Sequence, residues 1–405
     1  MLQKDFKPTL RFMVVSDVHY KDEPCIEEER MAKAIEIAYR LSDESETYKK
    51  LDALYVVGDF ANSGTETQML KFKATLDKCL RPETQYALTM ASHEYHGAGV
   101  EAAHEKFTRI FNLPVDEHRV INGFHFISLT CSQGTNFHAD KIEFAANELR
   151  KAREADPKKP IFVFQHPHIT DTVYGSILWG EDELYSTYID YPQMINFSGH
   201  SHVPINNPNS IHQKHFTSLG TGSLSYTELD EFDKYYGTLP PGKADFAQML
   251  IVEADAEGRV RIYPYDVFTD NFFPYVWEID EPWNPDGFKY TDAIRYRTNV
   301  TPAFKADAEI EFLDLDDDGF RIKFPQAEIS EDYVNDYKVV VIEKATGAIV
   351  KQTVMWSEYY FYNMPEFLEI AYIDLKSATE YEIKIYANSF WNTTSAPLCA
   401  DITTK

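Results

Sequence analysis

Two rhythms of apolar and polar positions divide the chain. From residue 10 to about 266, short unbroken apolar runs alternate with stretches whose apolar residues recur every three or four positions. LRFMVVS, LDALYVV, TQYALTMA, FHFISLT, PIFVFQ and MINFS lack polar alternation, which predicts strands buried on both faces. Between them, EERMAKAIEIAYRL places Met31, Ile35, Ala38 and Leu41 on one helical stripe. TETQMLKFKATLDKCL predicts a helix capped by Thr65, and ADKIEFAANELRKAREAD predicts another. KHFTSLG, AQMLIVEA and RVRIYPY follow without long helices, so that end is expected to be more antiparallel. Residues 1–266 are therefore read as one layered α/β domain.

Residues 267–302 change character, with FFPYVW and EPWNPDGF rich in aromatic residues and proline. So many rings favour burial, and the stretch is read as a packed connector. From 303 to 405 the pattern has period two. AEIEFLDLDDDGFRIKF reads as strand, turn, strand, and DYKVVVIEKATGAIVKQTVMW as a hairpin around ATGA. TEYEIKIYANSF puts Tyr381, Ile383, Ile385 and Ala387 on one face. Short strands at this spacing predict an all-β sandwich.

Composition narrows the function. The chain has 405 residues and a formal net charge of -26, from 39 Lys+Arg against 65 Asp+Glu. Such a field repels phosphate backbones, so no nucleic-acid partner and no anionic membrane surface is expected. An anionic substrate would need concentrated positive charge to dock, such as metal ions. Cys25, Cys79, Cys131 and Cys399 are scattered without CxxC spacing, against both a disulfide framework and a structural zinc site. No apolar run approaches the ~18 residues needed to span a bilayer. A cytoplasmic protein is expected, or an exported one if a leader has been trimmed.

The candidate chemistry stands at the ends of the α/β strands. SDVH places Asp17 and His19 after the first strand, GDFAN places Asp59 after the second, and MASHEYH places His93 after the third. QHPH places His166 after a later strand, and GHSH places His200 and His202 after the next. In extended chain, positions i and i+2 share a face, which would let Asp17 and His19 point at one ion. Sites in open α/β sheets form outside the carboxyl ends of strands. A lone Asp or His in such a turn usually caps a helix, but an ordered series of them points to a metal centre. Mixed carboxylate and imidazole donors suit Mn, Fe or Zn rather than Ca. Two such ions ~3.5–4 Å apart can clamp a phosphoryl group and acidify a bridging water.

The series D-x-H, G-D, H-[DE], H and G-H-x-H resembles the calcineurin-like metallophosphoesterase superfamily. That resemblance implies an αββα sandwich and a two-metal phosphoesterase in which a metal-bridging hydroxide attacks a small phosphodiester or monoester. It implies that Asp17, His19 and His202 hold one ion, that His166 and His200 hold the second, and that Asp59 bridges them. His93 matches the residue beside the leaving group. The layout with a β-rich tail is similar to bacterial cyclic-nucleotide phosphodiesterase-like proteins.

Two positions depart from the family pattern. Ser92 stands where an Asn usually gives its carboxamide oxygen to the second metal, a downgraded ligand. Asn62 stands where some branches carry an Asp pairing with the catalytic His. Both weaken the support for catalysis, and the alternative they favour is a pseudoenzyme that binds a metal or phosphorylated ligand beside an interaction module. His168, Tyr174 and Trp179, in the stretch after His166, are candidates for shaping the substrate pocket together with Asn62, and GTGSLSYTE could also line the cleft. In the tail, Leu375, Thr379 and Tyr381 resemble the Leu, Thr and Tyr spacing of fibronectin type III domains.

Overall fold

The structure is a computed structural model that describes residues 1–405 apart from 98, 231, 299 and 331, together with the side chains of 297 and 298. Two compact units emerge: Met1–Asp230 with Gly242–Thr291, and Glu231–Pro241 with Asp292–Lys405.

The first unit is built on two sheets. In one, Pro8–Val15, Ala53–Val57 and Gln85–Thr89 run parallel, and Gln248–Asp255 and then Val260–Asp266 add antiparallel on the other side of Pro8–Val15. In the other, Phe124–Ser128, Ile161–Phe164, Met194–Ser198 and Thr217–Gly220 are parallel, with antiparallel edge strands Glu117–Ile121 and Ile211–Gln213. The edge strands Glu117–Ile121 and Ile211–Gln213 were not predicted; one is mostly half-buried and the other only three residues long, so neither has a distinctive apolar run.

Alternation along the strands sorts the core into layers. Phe12 and Tyr55 of one sheet meet Phe126, Phe162 and Phe164 of the other, with Tyr55 and Phe164 stacked at 4.0 Å. Met13 and Val15 face the opposite way, into a core shared with Met31, Ile35 and Ala38 of the helix Ile26–Glu44. That helix and Glu66–Cys79, capped by Thr65, cover the first sheet. The result is an αββα sandwich: the apolar runs lack polar alternation because each strand has a sheet on one side and helices on the other.

The second unit contains a three-stranded sheet, Glu311–Leu315, Phe320–Pro325 and Phe367–Tyr372, and a four-stranded one, Ala348–Trp356, Val334–Glu343, Glu380–Ser389 and Leu398–Thr403. Tyr381, Ile383, Ile385 and Ala387 are all buried, as the alternation predicts. The Lys376 main-chain N–H donates to the Tyr381 hydroxyl at 2.9 Å, which is the tyrosine-corner bond.

The boundaries at 266 and 303 need correction. Residues 267–302 are not a separate connector, because Asn271–Phe272 and Trp277–Ile279 pair with Val260–Asp266 and extend the first unit's sheet. From Asp292 the chain joins the second unit; Asn299 lies outside the described residues. Residues 232–241, inside the sequence of the α/β part, also belong to the second unit. There the Lys234 ammonium, buried, pairs with Asp336 at 2.8 Å and lies 3.6 Å from the Trp356 ring centroid.

Candidate metal centre

All the predicted ligand turns lie in the first unit and bond to one another. After Val15 the chain leaves its strand, and the Val18 and His19 N–H groups donate to the Asp59 carbonyl at 2.9 and 3.0 Å. The Asp17 carboxylate reaches the other sheet: its Oδ2 accepts from the Ser16 hydroxyl at 2.6 Å and from the His200 main-chain N–H at 3.1 Å. Extended geometry does not aim these side chains. Asp17, His19, Asp59, His200 and His202 all have positive φ, between 48 and 72°. Each such residue costs about 1–2 kcal/mol of backbone strain, held here by the surrounding bonds. Left-handed turns, and not the shared face of i and i+2 in extended chain, bring Asp17 and His19 together.

Two groups of donor atoms result, Asp17 with His19 and His202, and Asp59 with His166 and His200, the atoms in each lying within 4.8 Å of one another. His202 Nε2 is 3.2 Å from Asp17 Oδ1, and His166 Nε2 is 2.9 Å from Asp59 Oδ2 and 3.7 Å from Asp17 Oδ1. Main-chain carbonyls fix the rings from behind: His166 Nδ1–H donates to Val57 at 2.7 Å and His202 Nδ1–H to Tyr226 at 3.1 Å. The glycines of the G-D and G-H turns permit this closeness. A Cβ on Gly58 would stand 2.4 Å from His166 Nδ1, and one on Gly199 would stand 2.5 Å from Asp17 Oδ2.

The electrostatics resolves into two like pairs. Burial opposes charge on every group, yet His166, beside Asp59 and Asp17, is raised to about 10, and His202 is raised by Asp17. Despite burial, Asp17 and Asp59 are held below the usual carboxylate range by these imidazoles. Burial and a charged neighbour push His19 down to about 3 and His200 to about 4. Each group thus sets a carboxylate against one imidazole whose pKa it raises, beside a second imidazole held neutral. Asp17 Oδ1 and His166 Nε2 are buried without a hydrogen-bond partner. A divalent ion in each group would satisfy the orphaned atoms, so the donors fit a pair of metals.

His93 opens toward this centre, about one-third exposed, with Nε2 3.9 Å from Asp59 Oδ2. Its Nδ1–H donates to the Asn62 carbonyl at 2.7 Å. The expected weakening at Asn62 is corrected accordingly: the partner is main chain, which any residue at that position supplies. Glu94, fully buried, accepts from the main-chain N–H of Asp59, Ala61 and Ala91 and so ties the Asp59 turn to the His93 turn. Burial and Asp59 raise it to about 8. Ser92 is half-buried and opens the 3-10 turn Ser92–Tyr95.

The pocket candidates separate. His168 is not a pocket residue: it is 1% exposed, with both ring nitrogens 2.7 Å from the Ser198 and Ser201 hydroxyls. Burial and then His200 hold it at about 3, so it braces the GHSH turn as a neutral ring. Trp179 does border the centre, its half-buried ring edge-on to His200 at 5.3 Å and its indole N–H donating to Asp230. Tyr174 is one step further out, where its hydroxyl accepts from the Asp230 main chain. Asn62 contributes its carbonyl. Tyr226, in the GTGSLSYTE stretch but not singled out, packs its ring 4.2 Å from His202. No sequence signal distinguishes it from the chain's other tyrosines.

Residues 10–204 match the family described as Calcineurin-like phosphoesterase. This segment is a calcineurin-like phosphoesterase domain. It contains every converging ligand, His202 being the last. Among curated proteins, none matches the chain. Among solved structures, the chain is similar to a purple acid phosphatase, PPD1, from yellow lupin (Lupinus luteus) seeds, at 12% identity and a TM-score of 0.46 over 68% of this chain and 54% of that one. The chain thus spans about half the length of that enzyme. PhoD matches at 11% identity and a TM-score of 0.40, over 68% of this chain and 72% of its own. The fn3 domain of human collagen alpha-1(XX) chain matches at 17% identity and a TM-score of 0.20, over 27% of this chain and 88% of that domain. Among the described residues no helix is long and apolar enough to cross a membrane.

Proposed function

We propose that this chain hydrolyses a small phosphodiester or phosphomonoester at a centre of two divalent ions, Mn, Fe or Zn. The observation that carries the reading is the convergence of Asp17, His19 and His202 beside Asp59, His166 and His200, with buried donor atoms left unpartnered. When bound, the ions supply Lewis-acid charge for the phosphoryl oxygens and an acidified water. Asp59, grouped with His166 and His200 and close enough to His19 to oppose the lowering of its pKa, is assigned the bridging role; Ser92 is assigned the weakest ligand position. With its Nδ1–H committed to the Asn62 carbonyl, His93 presents Nε2 as the atom that passes a proton to the leaving oxygen. Trp179 and Tyr226 offer ring surface beside the ligand histidines, which favours an ester carrying an aromatic or cyclic-nucleotide group.

The test compares metal content and hydrolysis of a chromogenic bis-aryl phosphate and its mono-aryl counterpart, in the wild type and in Asp59→Asn. An amide cannot join and partly neutralise two cations, so the variant is expected to lose at least one metal and all turnover while staying folded. Full metal occupancy with unchanged turnover in the variant would overturn the two-metal assignment. Metal binding without turnover of either ester in the wild type would favour the pseudoenzyme reading.

A further inference from the structure

A second constellation of imidazoles lies outside the phosphoesterase centre, on the hairpin at the edge of the other sheet. Asn122 and Gly123 both have positive φ (51 and 80°), the signature of a tight two-residue hairpin turn. The turn fixes a register in which Val120 faces His125 and His118 faces Ile127. His118 and His125 therefore sit diagonally on one face of the ribbon. His118 Nε2 lies 2.7 Å from His125 Nδ1, and His118 Nδ1 lies 2.6 Å from Glu148 Oε2 on the helix Ala139–Ala155. The His118 and Glu148 side chains are only 13% and 12% exposed.

The proton count of this chain is restrictive. The carboxylate takes the His118 Nδ1–H, which makes Nε2 a lone-pair donor when the ring is neutral. His125 Nδ1 then has to give its hydrogen to that lone pair. A carboxylate holding one nitrogen of a histidine is how proteins fix the tautomer and raise the basicity of a metal-ligating imidazole. We infer that His118 Nε2 and His125 Nδ1 form a two-imidazole site for a borderline divalent ion such as Zn, with Glu148 behind His118 as its orienting partner. The ion takes the place of the hydrogen between the rings, which moves to His125 Nε2 as that ring changes tautomer, and water fills the remaining positions. Metal–nitrogen bonds of ~2.0–2.1 Å at a tetrahedral angle require the nitrogens to stand about 3.3 Å apart, a modest side-chain rotation from the proton-bridged pair.

The charges facing the pair are mixed. Lys151 holds the other Glu148 oxygen at 2.6 Å, and Lys159 opposes positive charge on His125 while Asp156 favours it. Mg and Ca, which bind through oxygen ligands and net negative charge, are therefore excluded in favour of an ion that prefers imidazole nitrogen. Bound there, the ion would clasp the hairpin and, through Glu148, the helix covering it.

The full chain is equilibrated with micromolar Zn, and bound metal per chain is measured for wild type, His118→Phe, His125→Phe and the double variant, with circular dichroism as the folding check. One Zn fewer per chain is expected in each single variant and no further loss in the double. Glu148→Gln is expected to weaken that Zn by about tenfold. The phosphoesterase-centre metals and any hydrolysis are expected to be unchanged in all four variants, which separates this site from the one above. Equal Zn content in wild type and folded variants would overturn the inference, as would additive losses in the double variant.

Discussion

Gly58→Ala is the sharpest test of how tightly the centre is packed. Gly58 has φ +79, and a methyl group there would lie 2.4, 2.5 and 2.7 Å from Nδ1, Cγ and Cβ of His166. The left-handed backbone costs an alanine about 1–2 kcal/mol. Forcing the buried ring aside adds about 1–3 kcal/mol, and breaking its 2.7 Å bond to the Val57 carbonyl adds about 0.5–1.5 kcal/mol. Together these predict a loss of about 2.5–6.5 kcal/mol, a fall of about 5–13 °C in melting temperature for a unit of this size. Gly97→Ala is the control, since Gly97 has the same φ of +79 but nothing within 4 Å of the added methyl. It should lose only the backbone part, about 1–2 kcal/mol. Thermal melts of both variants, with metal analysis after equilibration, read the two effects. The Gly58 variant should bind the ion facing Asp59 and His166 poorly, and the Gly97 variant should bind it normally. Equal melting temperatures, or full occupancy in the Gly58 variant, would refute the packing argument.

Other expectations can be checked alongside. His166, raised to about 10 in the metal-free protein against 6.5 unfolded, contributes stability that is complete below pH 6.5 and lost as pH rises through 10. The metal-free melting temperature should fall across that window while apparent metal affinity rises, about tenfold per pH unit for each proton displaced; a flat affinity profile would contradict the proton-for-metal exchange. Ser92→Asn should raise affinity for the second ion on the order of tenfold, with hydrolysis at limiting metal rising in parallel. Equal affinity with lower activity would mean the serine serves another purpose. Lys234→Ala should destabilise the second unit by about 3 kcal/mol, the lower end for breaking a buried pair, because Asn335 and Asn388 still donate to Asp336; a denaturant midpoint within error of wild type would show the pair to be inert.

The layered α/β unit, the sandwich and the ligand turns could be read from the sequence because each is written in short-range pattern. Runs without polar alternation marked the doubly covered strands, period two marked Glu380–Ser389, and Thr65 marked its helix start. The ordered series of Asp and His residues after strands identified the residues that converge, with no knowledge of distances. Where the reading failed, the missing information was long-range. His168 and Trp179 lie on one segment and looked equivalent, but only the packing of Ser198 and Ser201 against His168 turned it inward.

Sequence by itself determined which side chains are available: carboxylates and imidazoles at strand ends, glycines beside them, and a net charge of -26 around them. The tertiary structure alone decided how they are used. Left-handed backbone at Asp17, His19, Asp59, His200 and His202 is imposed by bonds between turns far apart in sequence, not by local preference. The division of the donors into two groups depends on which strands neighbour one another and on Asp17 reaching the His200 turn of the opposite sheet. The assignment of residues 232–241 to the second unit rests on Lys234 finding Asp336, about a hundred positions away. Local pattern records the free energy of burying one face of a segment, whereas convergence of polar atoms depends on where every other segment has gone.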